Sequence, residues 1–395
     1  MKPGWRKWLS RLLKLVVCGG ALWYLSDKVA VRDQVRLAGD PDRRLILLSE
    51  AEGSVRVRDP DTNEEREVPR TEVASPEQLP AGRRPVERGL ASVARRAEPG
   101  WAFWSLLAMG PGTFIMAWRL RLLLSIQDIR LSLRDAVWLT FAGNFFNFAM
   151  PGTTGGDLYK AYHVARQTSK RAEGVTIVLL DRAIGLISFL LLAACTIAFY
   201  AATRGERLGQ YGWWVGYLMV GLIVFSLLFF SRRVRRWIRY DSLLARLPFG
   251  DKLRRVDDTA FQFRFHARRT LAALLGTLVN HFCMITSIYF LALALGIHAH
   301  GEHRPVDLYL ASLLATSVGF LLAAVPISFQ GFGLFEAVFY RVFVEGGWCS
   351  ATEMLALTLG LRLVQIVWSL PGVIAPWLGF ARPPGREETT MTAVP

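Results

Sequence analysis

Residues Val175 to Ala202 read VTIVLLDRAIGLISFLLLAACTIAFYAA. From Ala183 onward the stretch carries no charge, and its two charged residues, Asp181 and Arg182, lie near its start. A bilayer's hydrocarbon core is about 30 Å thick, so a helix rising about 1.5 Å per residue needs roughly 20 apolar residues to cross it. This stretch is long enough. The competing reading is a buried helix in a large soluble protein, and the rest of the chain decides against it. Further apolar runs occur at Trp101–Leu124, Trp213–Phe230, Leu271–Leu295, Leu308–Pro326 and Thr352–Leu378. Of the 395 residues 52% are hydrophobic, which leaves too little polar surface to dissolve the chain in water. The predicted fold class is an all-α polytopic membrane protein, with about seven or eight transmembrane helices and one or two re-entrant segments.

The chain's net charge is +15, unevenly distributed. Arg32–Glu98 holds 13 basic and 14 acidic residues, so the excess lies elsewhere. It sits in loops between apolar runs, where the positive-inside rule and anionic lipid headgroups account for it; nucleic acid is not an expected partner. Ser231–Arg269 holds 12 basic residues against 4 Asp and reads as cytoplasmic. Met1–Lys14, with five Lys or Arg and no acid, also reads as cytoplasmic, ahead of an apolar run from Leu12 to Leu25. A cleaved signal peptide would suit those features too. The lack of an A-x-A site favours an uncleaved anchor helix over residues 1–30. The chain is expected in the inner (plasma) membrane.

With that orientation, residues 31–99 form a small extracytoplasmic insert. Leu45–Leu48 reads as a strand, Val55-Arg56-Val57-Arg58 alternates with period two, and Asp59-Pro60-Asp61-Thr62-Asn63 is turn chemistry. Val68 and Val73 extend the β unit, and Glu87–Ala97 is helical in character. No nucleophile motif, Cys or His cluster occurs there, so the insert reads as a spacer or a contact for a protein partner. Residues 100–380 form the membrane domain and 381–395 a disordered polar tail.

Two segments break the helical pattern. Ala136–Met150 is too short to cross and ends in Pro151-Gly152-Thr153-Thr154-Gly155-Gly156-Asp157, where four of the first six residues are Gly or Pro. Both its flanks are basic, which makes it a re-entrant candidate, with a helix restarting near Asp157. Leu334–Glu345 is the second, after Pro326-Ile327-Ser328-Phe329-Gln330-Gly331-Phe332-Gly333. Paired broken segments point to a binding site in transporters.

The candidate site residues come from these segments. Asn144, Asn147, Gly155, Gly156, Asp157 and Lys160 surround the first break, where bared N–H groups at a helix start suit an anion. An ordinary cap by Asp157, with glycines for close packing, is the plainer alternative. Asp181 and Arg182 need partners or water; as helix neighbours they point about 100° apart and need not pair with each other. Ser328, Gln330, Gly331, Gly333 and Glu336 form the second break. Arg362, with Gln365 one turn on, lies mid-span and is expensive there unless paired; Asp157 and Glu336 are its natural counter-charges. Convergence of Asp157, Arg182, Glu336 and Arg362 on one polar cavity is the economical arrangement. The scattered histidines and four cysteines have no metal-ligand spacing, so no metal or cofactor is expected. No nucleophile elbow, HExxH or Walker loop occurs.

Asn147…Pro151-x-x-x-Gly155-Gly156-Asp157 resembles the N…P-x-x-x-G-(E/D) signature of the flippase-like, lysylphosphatidylglycerol-synthase transmembrane family. Asp181-Arg182 resembles its E-R pair, Pro326 to Glu336 its P-x-S-x-G-G-x-G-x-x-E element, and Arg362 its last-helix arginine. The resemblance covers about Trp101 to Leu378. Asp157 and Asp181 stand where Glu is commoner, and Gln330 replaces a Gly; the insert has no counterpart. The resemblance implies movement of a lipid or lipid-linked headgroup between leaflets without ATP hydrolysis. The full synthases carry an aminoacyl-transfer domain after this module, whereas this sequence ends in a short tail, so no aminoacyl transfer and no enzyme activity is expected. Two other readings remain: a membrane-embedded transferase using Asp157 or Glu336 as base, and a non-catalytic scaffold. Membrane lipids are the expected ligands, and headgroup sign stays open, since the carboxylates could hold a cationic group.

Overall fold

The computed structural model describes residues 29–75, 78–79, 84–149, 155–204, 220, 263–299, 304–324 and 331–375. The expected anchor helix up to residue 28, the run Trp213–Phe230 apart from Val220, the basic loop up to residue 262 and the polar tail lie outside the described residues, as do Ser328 and Gln330.

The insert is a five-stranded antiparallel sheet: β1 (Gln34–Leu37), β2 (Asp40–Glu50), β3 (Ser54–Arg58), β4 (Glu65–Pro69) and β5 (Val86–Glu87), in the order β4-β3-β2-β1-β5. Period-two alternation drives it. Val55 and Val57 of β3 are buried, and they join Val35, Leu45, Leu47 and Val68 in one apolar layer. The turn read at Asp59–Asn63 closes β3 onto β4: the Asp61 N–H donates to Asp59 Oδ1 at 3.0 Å, and Asn63 takes a left-handed φ of 59°. Glu65, Arg66, Glu67 and Pro69 make the β4 edge poor at pairing with another strand. A short helix, α1 (Leu90–Arg95), follows β5, within the Glu87–Ala97 segment expected to be helical.

Long helices follow: α2 (Pro99–Leu124), α3 (Leu133–Ala149), α4 (Gly155–Gln167), α5 (Arg171–Arg204), α6 (Ala267–Ala294) and α7 (Pro305–Ala323). Then come α8 (Leu334–Phe339), α9 (Ala351–Ser369) and α10 (Pro371–Ile374). Among the described residues four helical segments are long and apolar enough to cross a membrane: Arg171–Tyr200, Ala267–Ala294, Pro305–Ala323 and Ala351–Ile374. Phe103, Trp104, Leu179, Leu275 and Leu363 stand exposed on these helices and on α2, as suits side chains that face lipid. The second short segment is α8 continued by a π turn over Tyr340–Val344, so Leu334–Glu345 is helical but not uniformly α.

The chain forms two compact units. One comprises Met1–Pro111, Phe189–Leu218 and His281–Gln365. Its core is aromatic: Phe335, Phe339 and Phe343 stack in series at centroid distances of 4.6 and 5.5 Å, with Met354, Leu357 and Leu361 packed beside them. The sheet belongs to this unit and is tied to the start of α9. The Ala30 N–H donates to Thr352 Oγ1 at 2.9 Å, and Arg84 donates to Glu353 and to the Trp348 carbonyl, each at 3.3 Å. The other unit comprises Gly112–Ser188, Met219–Asn280 and Ile366–Pro395, with Leu120, Leu123, Ile126, Val164 and Ile177 at its centre.

Candidate functional site

The first break is an α3–α4 hairpin. Helix α4 begins at Gly155, two residues earlier than the expected start near Asp157, and its first turn is capped from the preceding helix. Asn147 Oδ1 accepts the Gly156 N–H at 2.8 Å. Asp157 is therefore inside the first turn, not at the cap position of the plainer alternative. The two helices touch through glycine: a Cβ on Gly156 would strike the Gly143 carbonyl, and one on Gly143 would meet Lys160 Cε at 2.5 Å. The aliphatic stem of Lys160 thus crosses the Gly143 backbone. Lys160 is only 4% exposed, yet no hydrogen bond or ion pair joins its ammonium to any described residue. Asn144 is half-buried on the same helix as Asn147. Asp157 accepts a hydrogen bond from Arg182 Nη1 on α5, and both side chains keep partial access, at 21% and 24% exposed.

Asp181, next in line to Arg182, is engaged elsewhere. Its Oδ1 accepts from Arg119 Nε at 2.7 Å, and Arg119 Nη1 donates to Thr277 at 2.8 Å. Arg119 and Asp181 are 4% and 6% exposed, so this is a closed structural pair. The sequence reading placed Asp181 with the ligand-binding residues and overlooked Arg119. The signal was present: Arg119 is a charge within the apolar run Trp101–Leu124, subject to the argument already applied to Asp181.

The second break belongs to the other unit. Gly331 and Gly333 take φ of +76° and +87°, a region that L side chains avoid, which explains glycine at both positions. Glu336, at the third position of α8, reaches back to the Gly333 N–H at 2.6 Å, and its second oxygen accepts from Arg362 Nη2 at 2.8 Å. Glu336 is 3% exposed. The Arg362 guanidinium also lies 3.6 Å from the centroid of Phe332, a partner the sequence reading missed. Its Nε–H is buried without an acceptor among the described residues. Of the two counter-charges expected for Arg362, Glu336 holds it, and Asp157 is held by Arg182. Of the four charges expected to converge, Asp157 and Arg182 pair in one unit and Glu336 and Arg362 in the other. Among the described residues no cluster of three or more His, Cys, Asp or Glu is placed to hold a metal.

Residues 88–372 match the profile of the lysylphosphatidylglycerol synthase TM region. The chain belongs to that family. The match starts inside the insert, at Arg88, and takes in both breaks, both site ion pairs and Arg362. No relative matches it among curated protein sequences. Membership in the synthase TM-region family makes this a multi-pass membrane protein related to lipid modification or transport.

Proposed function

We propose that the chain binds the phosphate of a phospholipid or lipid-linked headgroup at the α3–α4 hairpin and moves that headgroup between leaflets. The observation that carries this reading is Lys160. Its side chain is packed against the Gly143 backbone and almost wholly buried as a residue, and none of the described residues supplies a counter-charge for its ammonium. A phosphate oxygen would, and acyl chains could remain in lipid. Arg182 adds a second cation on the same side of α4, since Asp157 and Lys160 are three residues apart on the helix and share a face. In this reading the α3–α4 hairpin dips into the membrane and returns, and the broken backbone at its tip is tolerated because it lines a polar site.

A base-catalysed transferase is less well supported. Asp157 and Glu336 are each occupied by an arginine. The test of binding is native mass spectrometry of the detergent-purified chain with added phosphatidylglycerol. Lys160→Met keeps the stem across Gly143 and removes the charge; it should lower lipid occupancy at least tenfold. Equal occupancy in the two proteins would refute a phosphate site at Lys160.

A further inference from the structure

A cavity of about 410 Å³ lies where the insert meets the helix ends of its own unit, away from both breaks. Arg84, Arg88, Arg96, Glu98, Ser350 and Glu353 supply its polar lining, and Val86, Val93 and Leu295 part of its apolar wall. Small-molecule sites typically enclose about 300–1,000 Å³ with a few convergent polar groups. Most of the charges are already matched. Glu353 accepts from Ser350 N–H and from Arg84, and Arg88 pairs with Glu50 at 2.6 Å and Asp33 at 3.5 Å. Two charged groups remain. Neither Arg96 nor Glu98 makes a side-chain hydrogen bond or ion pair with a described residue, and both are exposed where the cavity opens. The backbone between them is fixed, because the Glu98 N–H donates to the Ala294 carbonyl at 2.8 Å and the Arg96 N–H to Ser92 at 3.1 Å.

We infer that this cavity is a binding site for a small solute or headgroup carrying both an oxyanion and a protonated amine. Arg96 takes the oxyanion in its planar fork, assisted by the N–H groups that Arg84 and Arg88 leave unused, and Glu98 takes the amine. The matched charges around them disfavour a simple anion, which would leave Glu98 facing it. The site is independent of the α3–α4 hairpin: it uses neither Lys160 nor Arg182, so failure of either proposal leaves the other standing.

The test is titration calorimetry on the full chain in detergent, with glycerophosphoethanolamine as probe and glycerophosphoglycerol, which has the same phosphodiester without the amine, as control. The ethanolamine probe should bind, and the control at least tenfold more weakly. Arg96→Gln should abolish binding of both. Glu98→Gln should leave the two probes equal. If glycine binds as well and competes, the natural ligand is a free amino acid rather than a lipid headgroup, and the charge assignment stands. No heat with any probe, equal binding of the two phosphodiesters by the unaltered protein, or binding unchanged in Arg96→Gln would overturn the site. Both residues are exposed, so the variants should fold normally.

Discussion

Asp181 and Arg182 are consecutive in the chain and belong to different ion pairs. Asp181 points into the helix packing and accepts from Arg119, while Arg182 reaches Asp157 at the start of α4. The 100° step between helix neighbours makes this possible, and burial separates their roles. Arg119→Ala leaves a carboxylate buried without its cation, and the loss should be about 3–5 kcal/mol of stability. The paired replacement Arg119→Met with Asp181→Leu should restore most of it. Thermal melting in detergent checks both; an Arg119→Ala protein as stable as the original would show that the pair is not structural.

Asp157→Asn behaves differently in this account. Its carboxylate is partly exposed and its partner can reach solvent, so removal should cost little stability, within about 1 kcal/mol. Headgroup movement should nonetheless fall, because Arg182 loses the group that positions it. A variant that folds and moves lipid at the original rate would exclude Asp157 from the site.

Arg362 is held by a carboxylate on one side and an aromatic face on the other. Arg362→Lys keeps the charge and loses the planar group that stacks on Phe332, so it should retain folded protein with strongly reduced activity. Phe332→Leu should lower activity in the same assay by a smaller factor. Loss of all folded protein in both variants would mean that Arg362 serves the fold alone.

Gly156 sits against the Gly143 carbonyl with no space for a methyl group. Gly156→Ala should therefore force the α3–α4 hairpin apart and lower the melting temperature. Gly100→Ala, where nothing lies near the added carbon, should not. Equal melting of the two variants would contradict the close helix contact.

The insert should loosen in acid. Burial acts to raise the Asp33 carboxyl, but hydrogen bonds from Ser92 and the Gly89 N–H and the charge of Arg88 outweigh it and hold the group below its ordinary value. A depressed folded-state value contributes stability above the unfolded value, about 3.9, and loses it as pH falls through the lower folded one. Hydrogen exchange at Gly89 should be flat from neutral pH down to about 4, after correction for intrinsic rates, and rise below that. Asp33→Asn should remove the pH dependence; persistence of the step in that variant would rule out Asp33 as its source.

Much of the fold was legible because membrane helices and amphipathic strands follow simple periods. The alternation of Val55-Arg56-Val57-Arg58 marks β3, and the long apolar runs located α2, α5, α6 and α7 to within a few residues, and the start of α9 to within one. Helix starts were less legible, since they depend on contacts made at a distance: the first turn of α4 is capped through the Gly156 N–H by Asn147, nine residues before it. The second-break pair Glu336–Arg362 could be anticipated from the expense of an isolated intramembrane charge. Phe332 could not, because one aromatic among many in an apolar segment carries no sign of which ring faces a guanidinium. Lys160 was selected for its place after a glycine-rich break, but its burial across Gly143 emerges only when the two helices are packed.

The central claim, headgroup movement that depends on Lys160, is tested most directly in proteoliposomes holding the purified chain and a fluorescent phosphatidylglycerol labelled on the acyl chain beside the headgroup. Dithionite added outside bleaches only lipid that reaches the outer leaflet. The account predicts that fluorescence falls beyond the outer-leaflet share with the unaltered protein, and stops at that share with Lys160→Met and with empty liposomes. Bleaching by the unaltered protein that stops where empty liposomes stop, or full bleaching by folded Lys160→Met, would contradict it.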